Sequence, residues 1–516
     1  MFVSHPLVKK DKIESRAYQE AIAESAVSKN TLVVAPTALG KTVIAVLVAA
    51  HFLERFPGRQ VVVLAPTRPL AAQHAASFRE FLNISESRVV LLTGDVSPDK
   101  RVVLWKGARV VCATPQVIRN DFAHGRYSAD DLSLAVFDEA HRAVGEYPYP
   151  ELAEEMECRI LALTASPGGN VESIDLVCKN LRIKSVEIRD EKDADTAPYV
   201  KGTFVEYKRV VLPEPYWVIR NILVNLLRDR LRVLKLNGAI ESARSDVTKK
   251  ELLDLMKALQ KGARSGGTEF YASISAVSAA LTIAHAIDLL ETQGMGPLSK
   301  YLERTAEKAK KPKASKALRG LSVKNDFKRA LAMSITLREK YSDPKKEALR
   351  EIIQSIKRDT KIIVFTQYRD TAREIAGFLS GFEGVRAVRF VGQASKAGDP
   401  GLSQKKQLEV LQSFREGEFN VLVATSVAEE GLDIPSVDLV VFFEPVPSEI
   451  RMIQRRGRTG RRSVGRVVVL IAEKTRDEGF YWSSVARERR MKKSLRGIRD
   501  RGEGRAPDLT RWTEGS

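Results

Sequence analysis

The residues with the clearest chemical potential lie in the segment Ala35-Pro36-Thr37-Ala38-Leu39-Gly40-Lys41-Thr42. It follows a β-branched apolar run and precedes an apolar helical pattern, an arrangement in which backbone N–H groups and a helix amino terminus bind phosphate. Lys41 is predicted to reach the β- and γ-phosphates of ATP, and the Thr42 hydroxyl is predicted to ligate Mg²⁺. The other residues of this loop predicted to surround the phosphates are Thr37, Ala38, Leu39 and Gly40.

Alanine occupies two positions of this loop where phosphate-binding loops often have glycine. Ala35 takes the place of the first glycine, and Ala38 takes the place of another. If residue 38 must adopt a positive φ angle, its Cβ atom costs about 1–2 kcal/mol. We expect the loop to tolerate this alanine, with slower ATP hydrolysis as one consequence.

Two adjacent carboxylates follow a second apolar run. Asp138-Glu139-Ala140-His141 comes directly after Leu134–Phe137, so its side chains are expected at the carboxyl edge of a sheet, where open α/β sheets bind ligands. Asp138 is predicted to hold Mg²⁺ through water, and Glu139 to polarise the attacking water. An acidic pair at a strand end is often a solvated turn, but its position after a phosphate-binding loop favours a nucleotide site.

Hydrolysis of ATP also requires positive charge opposite the γ-phosphate. The segment Gln454-Arg455-Arg456-Gly457-Arg458-Thr459-Gly460-Arg461 is predicted to supply it from a second domain. Arg458 and Arg461 are predicted to act as arginine fingers that stabilise charge in the transition state, with Gln454 beside them. Arginine runs are usually nucleic-acid contacts or solvated faces, but the two glycines and the leading glutamine favour the catalytic interpretation.

Alternating strand and helix patterns are predicted to position these residues. Continuous apolar strands separated by helices indicate parallel sheets covered on both faces, so the predicted fold class is α/β with two such domains. The predicted strands are Thr31–Ala35, Gln60–Ala65, Arg88–Leu92, Arg109–Ala113, Leu134–Asp138 and Arg159–Thr164, and then Lys361–Thr366, Arg386–Phe390, Val421–Ala424, Leu439–Phe443 and Gly465–Ile471.

Between the two α/β patterns the sequence is helical. Apolar residues recur at helical spacing in Pro215–Leu236, Thr248–Gln260 and Glu269–Thr292, and a lysine-rich stretch extends from Lys308 to Lys328. The predicted limits are residues 1–205 for the first domain, 206–345 for the helical insertion and 346–475 for the second domain. Residues 476–516 are predicted to form a basic helix, Arg487–Arg499, and a disordered tail.

Composition narrows the classes of partner. The chain of 516 residues has a net charge of +19, which favours a polyanion such as nucleic acid. No apolar run long enough to span a bilayer and no signal peptide are apparent, so we expect a cytoplasmic protein without a membrane partner. Cys112, Cys158 and Cys178 are widely spaced and are expected to be buried reduced thiols.

Taken together, these segments resemble a superfamily two helicase of the DEAH-box type, whose motifs occur in order over nearly the whole chain. The resemblance implies two RecA-like domains and adenine recognition by Arg16 and Gln19. It assigns Leu163-Thr164-Ala165-Ser166-Pro167 to the coupling of hydrolysis with domain movement. Contacts to the nucleic-acid strand are implied for Thr67, Arg68, Thr114, Gln393 and Thr425, and contacts to the nucleotide for Gly431 and Asp433.

Segments outside the shared motor resemble archaeal Hef and the Fanconi anaemia group M family. They are His285–Gly294, Arg389–Lys396 and Thr475–Ser484. This resemblance implies an ATP-dependent DNA helicase or translocase whose thumb-like insertion engages forks and Holliday junctions during DNA repair, with repair or replication proteins as further partners. Hef also carries an XPF-type nuclease after its motor. No nuclease signature follows the motor here, so no cleavage activity is expected.

Two alternatives stay open at the level of sequence. Antiviral RNA sensors and Dicer combine a similar motor with a helical insertion, so one alternative is a duplex-RNA-binding ATPase. The other is a non-catalytic nucleic-acid scaffold, which only Ala38 supports, because Lys41, Asp138, Glu139 and both arginine fingers are present.

Overall fold

The computed structural model describes residues 2–36, 39–168, 171–191, 193–199, 203–244, 247–264, 270–357, 360–395, 399–428, 434–446 and 465–502. Within these residues the chain forms two parallel β-sheets with helices on both faces of each, and a bundle of helices lies between them in the sequence. The predicted fold class is confirmed.

The first sheet has seven strands. Their bounds are β1 (Thr31–Val34), β2 (Gln60–Leu64), β3 (Val89–Leu92), β4 (Val110–Ala113), β5 (Leu132–Asp138), β6 (Arg159–Thr164) and β7 (Ser185–Ile188). They lie in the order β3-β4-β2-β5-β6-β1-β7 with parallel neighbours. The helices are α1 (Ala17–Ser28), α2 (Lys41–Arg55), α3 (Arg68–Phe81), α4 (Pro98–Gly107), α5 (Pro115–Ala123), α6 (Tyr149–Glu155) and α7 (Val171–Asn180).

The helical insertion forms a bundle of its own. Its helices are α8 (Glu214–Leu236), α9 (Lys249–Arg264), α10 (Phe270–Gln293), α11 (Met295–Lys310), α12 (Lys316–Ser322) and α13 (Asn325–Lys340). Thr248 and Glu251 cap α9 reciprocally: the Glu251 Oε2 atom accepts from the Thr248 N–H at 2.6 Å, and the Thr248 Oγ1 atom accepts from the Glu251 N–H at 3.2 Å. The bounds of these helices place the lysine-rich stretch, Lys308–Lys328, in α11, α12, α13 and their connections.

Among the described residues, α10 alone is long and apolar enough to pass as a membrane-spanning helix by length and composition. The helix is not an uninterrupted apolar run, because Ser275, Ser278, His285 and Asp288 lie within it, so it does not contradict the expectation on uninterrupted runs. Val277, Ala280, Ile283 and Ile287 are fully or almost fully buried in the core of the bundle. The apolar character of α10 is explained by its central place among the other helices of the insertion.

The second sheet takes one strand from before the insertion. Its strands are β8 (Thr203–Val210), β9 (Ile362–Phe365), β10 (Ala387–Phe390), β11 (Val421–Ala424), β12 (Leu439–Phe442) and β13 (Gly465–Ala472), in the order β10-β11-β9-β12-β13-β8. Its helices are α14 (Pro344–Gln354), α15 (Arg369–Leu379), α16 (Gln404–Glu416) and α17 (Arg476–Gly502).

The predicted limit at residues 205 and 206 cuts through β8 and is corrected by the structure. β8 pairs with β13 in parallel along eight residues, from Thr203 opposite Gly465 to Val210 opposite Ala472. The second domain therefore begins before the insertion, and the insertion begins with α8. Composition hid this edge strand, because its exposed and half-buried side chains give no continuous apolar run.

A tight turn between α10 and α11 of the insertion packs against the start of the second domain. Gly294 follows α10 with φ +90°, and a Cβ atom there would lie 1.6 Å from the Asp343 Oδ2 atom. The Asp343 carboxylate in turn accepts from the N–H groups of Lys345 and Lys346 at the start of α14. Glycine is required at residue 294 by both the backbone angle and this close approach.

The three cysteines are free thiols. Cys112 is buried, and Cys158 and Cys178 are half-buried. Burial raises the pKa of Cys112 and of Cys158 to about 12 and that of Cys178 to about 11. All three are therefore protonated at neutral pH, and of the thiols predicted to be buried only Cys112 is fully so.

Candidate nucleotide site and nucleic-acid surface

The predicted catalytic residues of the first domain converge at one edge of its sheet. Lys41 follows β1, Asp138 ends β5 and Thr164 ends β6, and these strands are neighbours in the order β5-β6-β1. Because all three strands are parallel, their carboxyl ends meet at the same edge. The structure thus brings together the phosphate-binding segment, the acidic pair and the Thr164–Ser166 segment.

Lys41 occupies the first turn of α2 and is almost completely buried, with 9% of its surface exposed. Its Nζ atom donates to the Ala35 carbonyl oxygen at 2.9 Å, which folds the side chain back across the loop. Gly40, just before it, has φ +68° and so lies in the left-handed region. This turn directs the amino terminus of a 15-residue helix toward the loop, where an anion is stabilised.

Asp138 is held by a residue from another helix. His74 of α3 places its Nε2 atom 2.8 Å from the Asp138 Oδ2 atom, and both side chains are buried. The Glu139 N–H donates to the Asp138 Oδ1 atom at 2.9 Å. Although burial acts to raise the pKa of Asp138, the hydrogen bond and charge of His74 and the charge of Lys41 lower it, so the carboxylate is ionised.

Glu139 has an unusual backbone conformation. Its φ of +51° lies in the left-handed region, which is rare for a residue with a side chain and is concentrated at functional sites. Its Oε2 atom lies 3.3 Å from the His141 Nδ1 atom, which is also 3.3 Å from the Thr164 Oγ1 atom. His141 therefore contacts both Glu139 of the acidic pair and Thr164 of the Thr164–Ser166 segment, and so links the two.

Of the two predicted adenine-binding residues, Gln19 contacts the phosphate-binding segment. The Gln19 Nε2 atom donates to the Leu39 carbonyl oxygen at 3.1 Å, and the Tyr18 hydroxyl donates to the same oxygen at 3.0 Å. The Arg16 guanidinium stacks 4.8 Å from the centre of the Tyr199 ring. Gln19 is thus placed beside the loop, whereas Arg16 contacts Tyr199 and Glu14.

The residues predicted to hold Mg²⁺ suit a hard cation. Asp138 supplies an ionised carboxylate, and Thr42 supplies a hydroxyl in the first turn of α2. Within the described ranges no group of three or more His, Cys, Asp or Glu side chains could form a protein-only metal cage. This donor set fits Mg²⁺, which is commonly held by one or two protein ligands together with substrate phosphates and water.

The residues predicted to contact the nucleic-acid strand, here called the strand-contact residues, occur in two pairs of neighbouring loops. Thr67 and Thr114 follow β2 and β4, which are adjacent, and each precedes a helix. Gln393 and Thr425 follow β10 and β11, which are also adjacent. Arg68 is paired with Asp95. Each domain therefore presents two of these loops side by side at the carboxyl edge of its sheet.

Several predicted residues lie outside the part of the chain that the structure describes. They are Thr37 and Ala38 of the phosphate-binding segment, Gly431 and Asp433, and the catalytic candidates Gln454, Arg458 and Arg461. Their predicted roles stay predictions.

The structure adds residues that motif spacing did not single out. His74 contacts Asp138, Tyr199 contacts Arg16, and the Tyr149 hydroxyl lies 2.7 Å from the Asp138 carbonyl oxygen. Met491, from the carboxyl-terminal half of α17, lies 2.9 Å from the Ser166 hydroxyl. His74 lies seven residues after Thr67, the N-cap of α3, but this spacing does not indicate its contact with Asp138.

Family models match three successive parts of the chain. The DEAD/DEAH box helicase model matches residues 16–174, and the helicase conserved C-terminal domain matches residues 344–463. Between them, residues 215–341 match the helical bundle of a putative ATP-dependent RNA helicase. The matches cover the helical insertion and most of both sheets, while β7, β8 and β13 lie outside them.

The chain is also similar to characterised and solved proteins. The Pyrococcus furiosus Hef helicase domain, known from a crystal structure, is 46% identical in sequence and superposes with a TM-score of 0.70. The match covers 93% of this chain and 100% of the Hef domain. A putative ATP-dependent RNA helicase of Methanocaldococcus jannaschii is 41% identical over 96% of this chain. The Fanconi anemia group M protein homolog of Mus musculus is 33% identical over 94% of it.

These two relatives are longer proteins. The chain spans 63% of the Methanocaldococcus protein and 26% of the mouse protein. An ATP-dependent DNA helicase of Neurospora crassa is 35% identical over 90% of this chain, which spans 41% of it.

Proposed function

The chain belongs to the Hef-type DEAD/DEAH-box helicases, and on that premise we propose that it is an ATP-hydrolysing DNA translocase that remodels branched DNA. The observation that carries the proposal is the meeting of Lys41, Asp138 and Glu139 at one sheet edge of a motor whose helical insertion is strongly basic.

The proposed chemistry uses groups that the fold already holds in place. Lys41 leaves the Ala35 carbonyl oxygen to bind the β- and γ-phosphates, and the amino terminus of α2 stabilises the same charge. Glu139 orients the attacking water and accepts its proton. Bound Mg²⁺, held by Thr42 and Asp138, would neutralise phosphate charge. Arg458 and Arg461 would complete the site from the second domain.

Translocation follows from the placement of the strand-contact loops. Thr67 and Thr114 lie on the first domain, and Gln393 and Thr425 lie on the second. If ATP closes the two domains and hydrolysis opens them, the two sets of loops alternate in their grip on the phosphate backbone. Because these contacts are to phosphates, binding should weaken steeply as the salt concentration rises.

Specificity for branched DNA is assigned to the helical insertion. Residues 215–341 contain 24 Lys and Arg against 12 Asp and Glu, a net charge of +12 out of +19 for the chain. Its strongest concentration, here called the basic tip, comprises exposed cations of α11, α12, α13 and their connections: Lys308, Lys310, Lys311, Lys313, Lys316, Arg319, Lys324, Lys328 and Arg329. A second duplex arm would bring its phosphates against such a surface.

The proposal is tested by ATPase rates on forked, duplex and single-stranded DNA and on duplex RNA. Forked DNA should stimulate the most. The variant Lys313→Glu/Lys316→Glu should lose most of the stimulation by forks and keep stimulation by single strands. Its matched control is Lys29→Glu/Lys106→Glu, which changes the charge equally at exposed positions of the first domain.

Two outcomes would overturn the proposal. Equal loss on forks and single strands in the tip variant would remove the specific role of the insertion. Stronger stimulation by duplex RNA than by any DNA would favour the second candidate, a duplex-RNA-binding ATPase. That candidate is kept because the bundle model and the Methanocaldococcus relative both carry RNA helicase in their names.

A further inference from the structure

The carboxyl-terminal helix α17 joins parts of the molecule that the motor must move relative to each other. Its first residues belong to the second domain and the insertion. The Arg476 N–H donates to the Glu291 Oε2 atom of α10 at 2.9 Å, and the Asp477 Oδ2 atom accepts from the Ala472 N–H at 3.0 Å. Glu291 and Asp477 are both buried, so this end of the helix is fixed to the insertion and to β13.

The other half of the helix belongs to the first domain. Met491 and Leu495 are 3% and 7% exposed and pack in the core that covers one face of the first sheet. Their neighbours in this core include Ile174 and Val177 of α7 and Ile188 of β7. Fifteen residues separate Arg476 from Met491, so the helix spans about 22 Å between its two attachments.

Met491 contacts the segment next to the hydrolytic site. The Ser166 hydroxyl donates to the Met491 Sδ atom at 2.9 Å, and Ser166 is itself buried. The Ser166 N–H donates to the Thr164 Oγ1 atom at 3.1 Å, and this oxygen lies 3.3 Å from His141, the neighbour of Glu139. An unbroken series of contacts therefore leads from the catalytic glutamate to α17.

We propose that Met491 is a positioning residue through which α17 transmits the state of the nucleotide site to the insertion and the second domain. A packed helix fixed at both ends cannot absorb a shift of Ser166 at one end without strain. Movement of the Thr164–Ser166 segment on ATP binding is therefore passed along the helix to Arg476 and Glu291. The inference deepens the proposed function and rests on it for its ATPase readout.

The first experiment compares Met491→Ala with Leu495→Ala. Both remove a buried side chain from the same core, but Met491 is the one that accepts the hydrogen bond of the Ser166 hydroxyl. Met491→Ala should keep the ATPase rate without DNA within about 2-fold and the KM for ATP nearly unchanged, yet lose about 5-fold or more of the DNA stimulation, the size of a typical coupling between sites. Leu495→Ala should lose thermal stability to a similar degree and keep the stimulation.

Two further variants separate coupling from packing. Met491→Leu keeps the volume and should recover most of the DNA stimulation. The double variant Ser166→Ala/Met491→Ala should lose no more stimulation than the more damaged single variant, because both act through one contact. Equal losses in Met491→Ala and Leu495→Ala, or additive losses in the double variant, would overturn the inference.

Hydrogen exchange gives a readout that requires neither DNA nor hydrolysis. A non-hydrolysable ATP analogue should protect the segment before α2 and also change exchange in residues 476–495 of the wild type. In Met491→Ala the first change should persist and the second should disappear. Protection before α2 with no change in α17 of the wild type would sink the inference and leave the proposed function standing. A wild type without nucleotide-dependent protection or ATPase would instead sink the proposed function.

Discussion

Each α/β domain buries a lysine and an aspartate, but the two pairs are arranged differently. In the first domain Lys41 donates to a backbone carbonyl and Asp138 pairs with His74, so the two oppositely charged groups are held by separate partners. In the second domain Lys345 and Asp477 pair directly, and Lys345 also donates to the Thr292 carbonyl oxygen at 2.9 Å. Lys345 and Asp477 are among the most buried charged residues described.

The first lysine and aspartate are buried without pairing with each other, whereas the second two form a buried ion pair. The pKa of Asp138 is lowered by His74 and Lys41, whereas burial raises the pKa of Asp477 to about 6 in spite of Lys345. Lys41 and Asp138 lie at the carboxyl edge of the first sheet, where they are predicted to bind a phosphate and a cation. Lys345 and Asp477 lie where α10, α14, β13 and α17 meet, and they fix the insertion to the second domain.

The largest effect is expected from breaking the structural pair. Lys345→Met leaves Asp477 buried without its counter-ion and should lower the free energy of unfolding by about 3–5 kcal/mol. Lys345→Met/Asp477→Leu removes both charges and should recover most of that loss. Urea denaturation measures both variants. A single variant as stable as the wild type would show that the pair does not hold this junction.

Removing the side chain of Lys41, the predicted phosphate contact, should slow ATP hydrolysis without lowering the free energy of unfolding. Lys41→Ala should lower the ATPase turnover by about 10²- to 10³-fold, about 3–4 kcal/mol of transition-state stabilisation. DNA affinity, measured by fluorescence anisotropy, should change little because the strand-contact loops lie elsewhere. An equal loss of DNA binding would contradict the assignment of Lys41 to ATP.

Patterns that depend on neighbouring residues were predictable from the sequence. The buried strands β1, β5 and β11 appear as continuous apolar runs, and their observed bounds lie within two residues of the predicted ones. The placement of Lys41 and Asp138 at one edge follows from parallel strands alone. These features need no knowledge of distant contacts.

Contacts between distant segments were not predictable in this way. β8 pairs with a strand about 260 residues later, and its exposed side chains Phe204 and Tyr207 give no apolar alternation. The predicted carboxyl-terminal helix, Arg487–Arg499, begins at Arg476 because Asp477 and Arg476 are fixed by residues of α10, α14 and β13. Contacts with residues distant in the sequence determine β8 and the start of α17, and the local sequence does not identify those residues.

The pH dependence of the unfolding free energy should reveal the contribution of the buried Lys345–Asp477 pair. The folded pKa of Asp477, about 6, lies above the unfolded value of about 3.9, so its contribution is greatest below pH 4 and is lost as the pH rises through 6. The unfolding free energy of the wild type, relative to Lys345→Met/Asp477→Leu, should therefore fall by about 2–3 kcal/mol between pH 4 and pH 7. A rise over this range would mean that Lys345 outweighs burial.

A change of His74 tests whether Asp138, the carboxylate predicted to hold Mg²⁺, needs its hydrogen-bond partner. His74→Ala removes the hydrogen bond that orients Asp138 and should lower the ATPase rate about 10- to 100-fold, as losses of such supporting residues typically do. Binding of a fluorescent ATP analogue without Mg²⁺ should stay close to that of the wild type, and added Mg²⁺ should tighten it less. His51→Ala, a histidine of α2, serves as the control.

The smallest effect is expected from the cation–π contact between Tyr199 and Arg16. Its ring supports the Arg16 guanidinium at 4.8 Å and is 38% exposed, so the cation–π interaction contributes about 0.5–1 kcal/mol. Tyr199→Ala should therefore weaken ATP binding by about 2- to 5-fold, while Tyr199→Phe should keep the affinity because the ring, not the hydroxyl, faces the cation. Binding of a triphosphate without adenine should be unaffected by either change. An equal loss for that ligand would show that Tyr199 acts on the phosphate-binding loop through Tyr18, whose ring lies 5.7 Å away, rather than on adenine through Arg16.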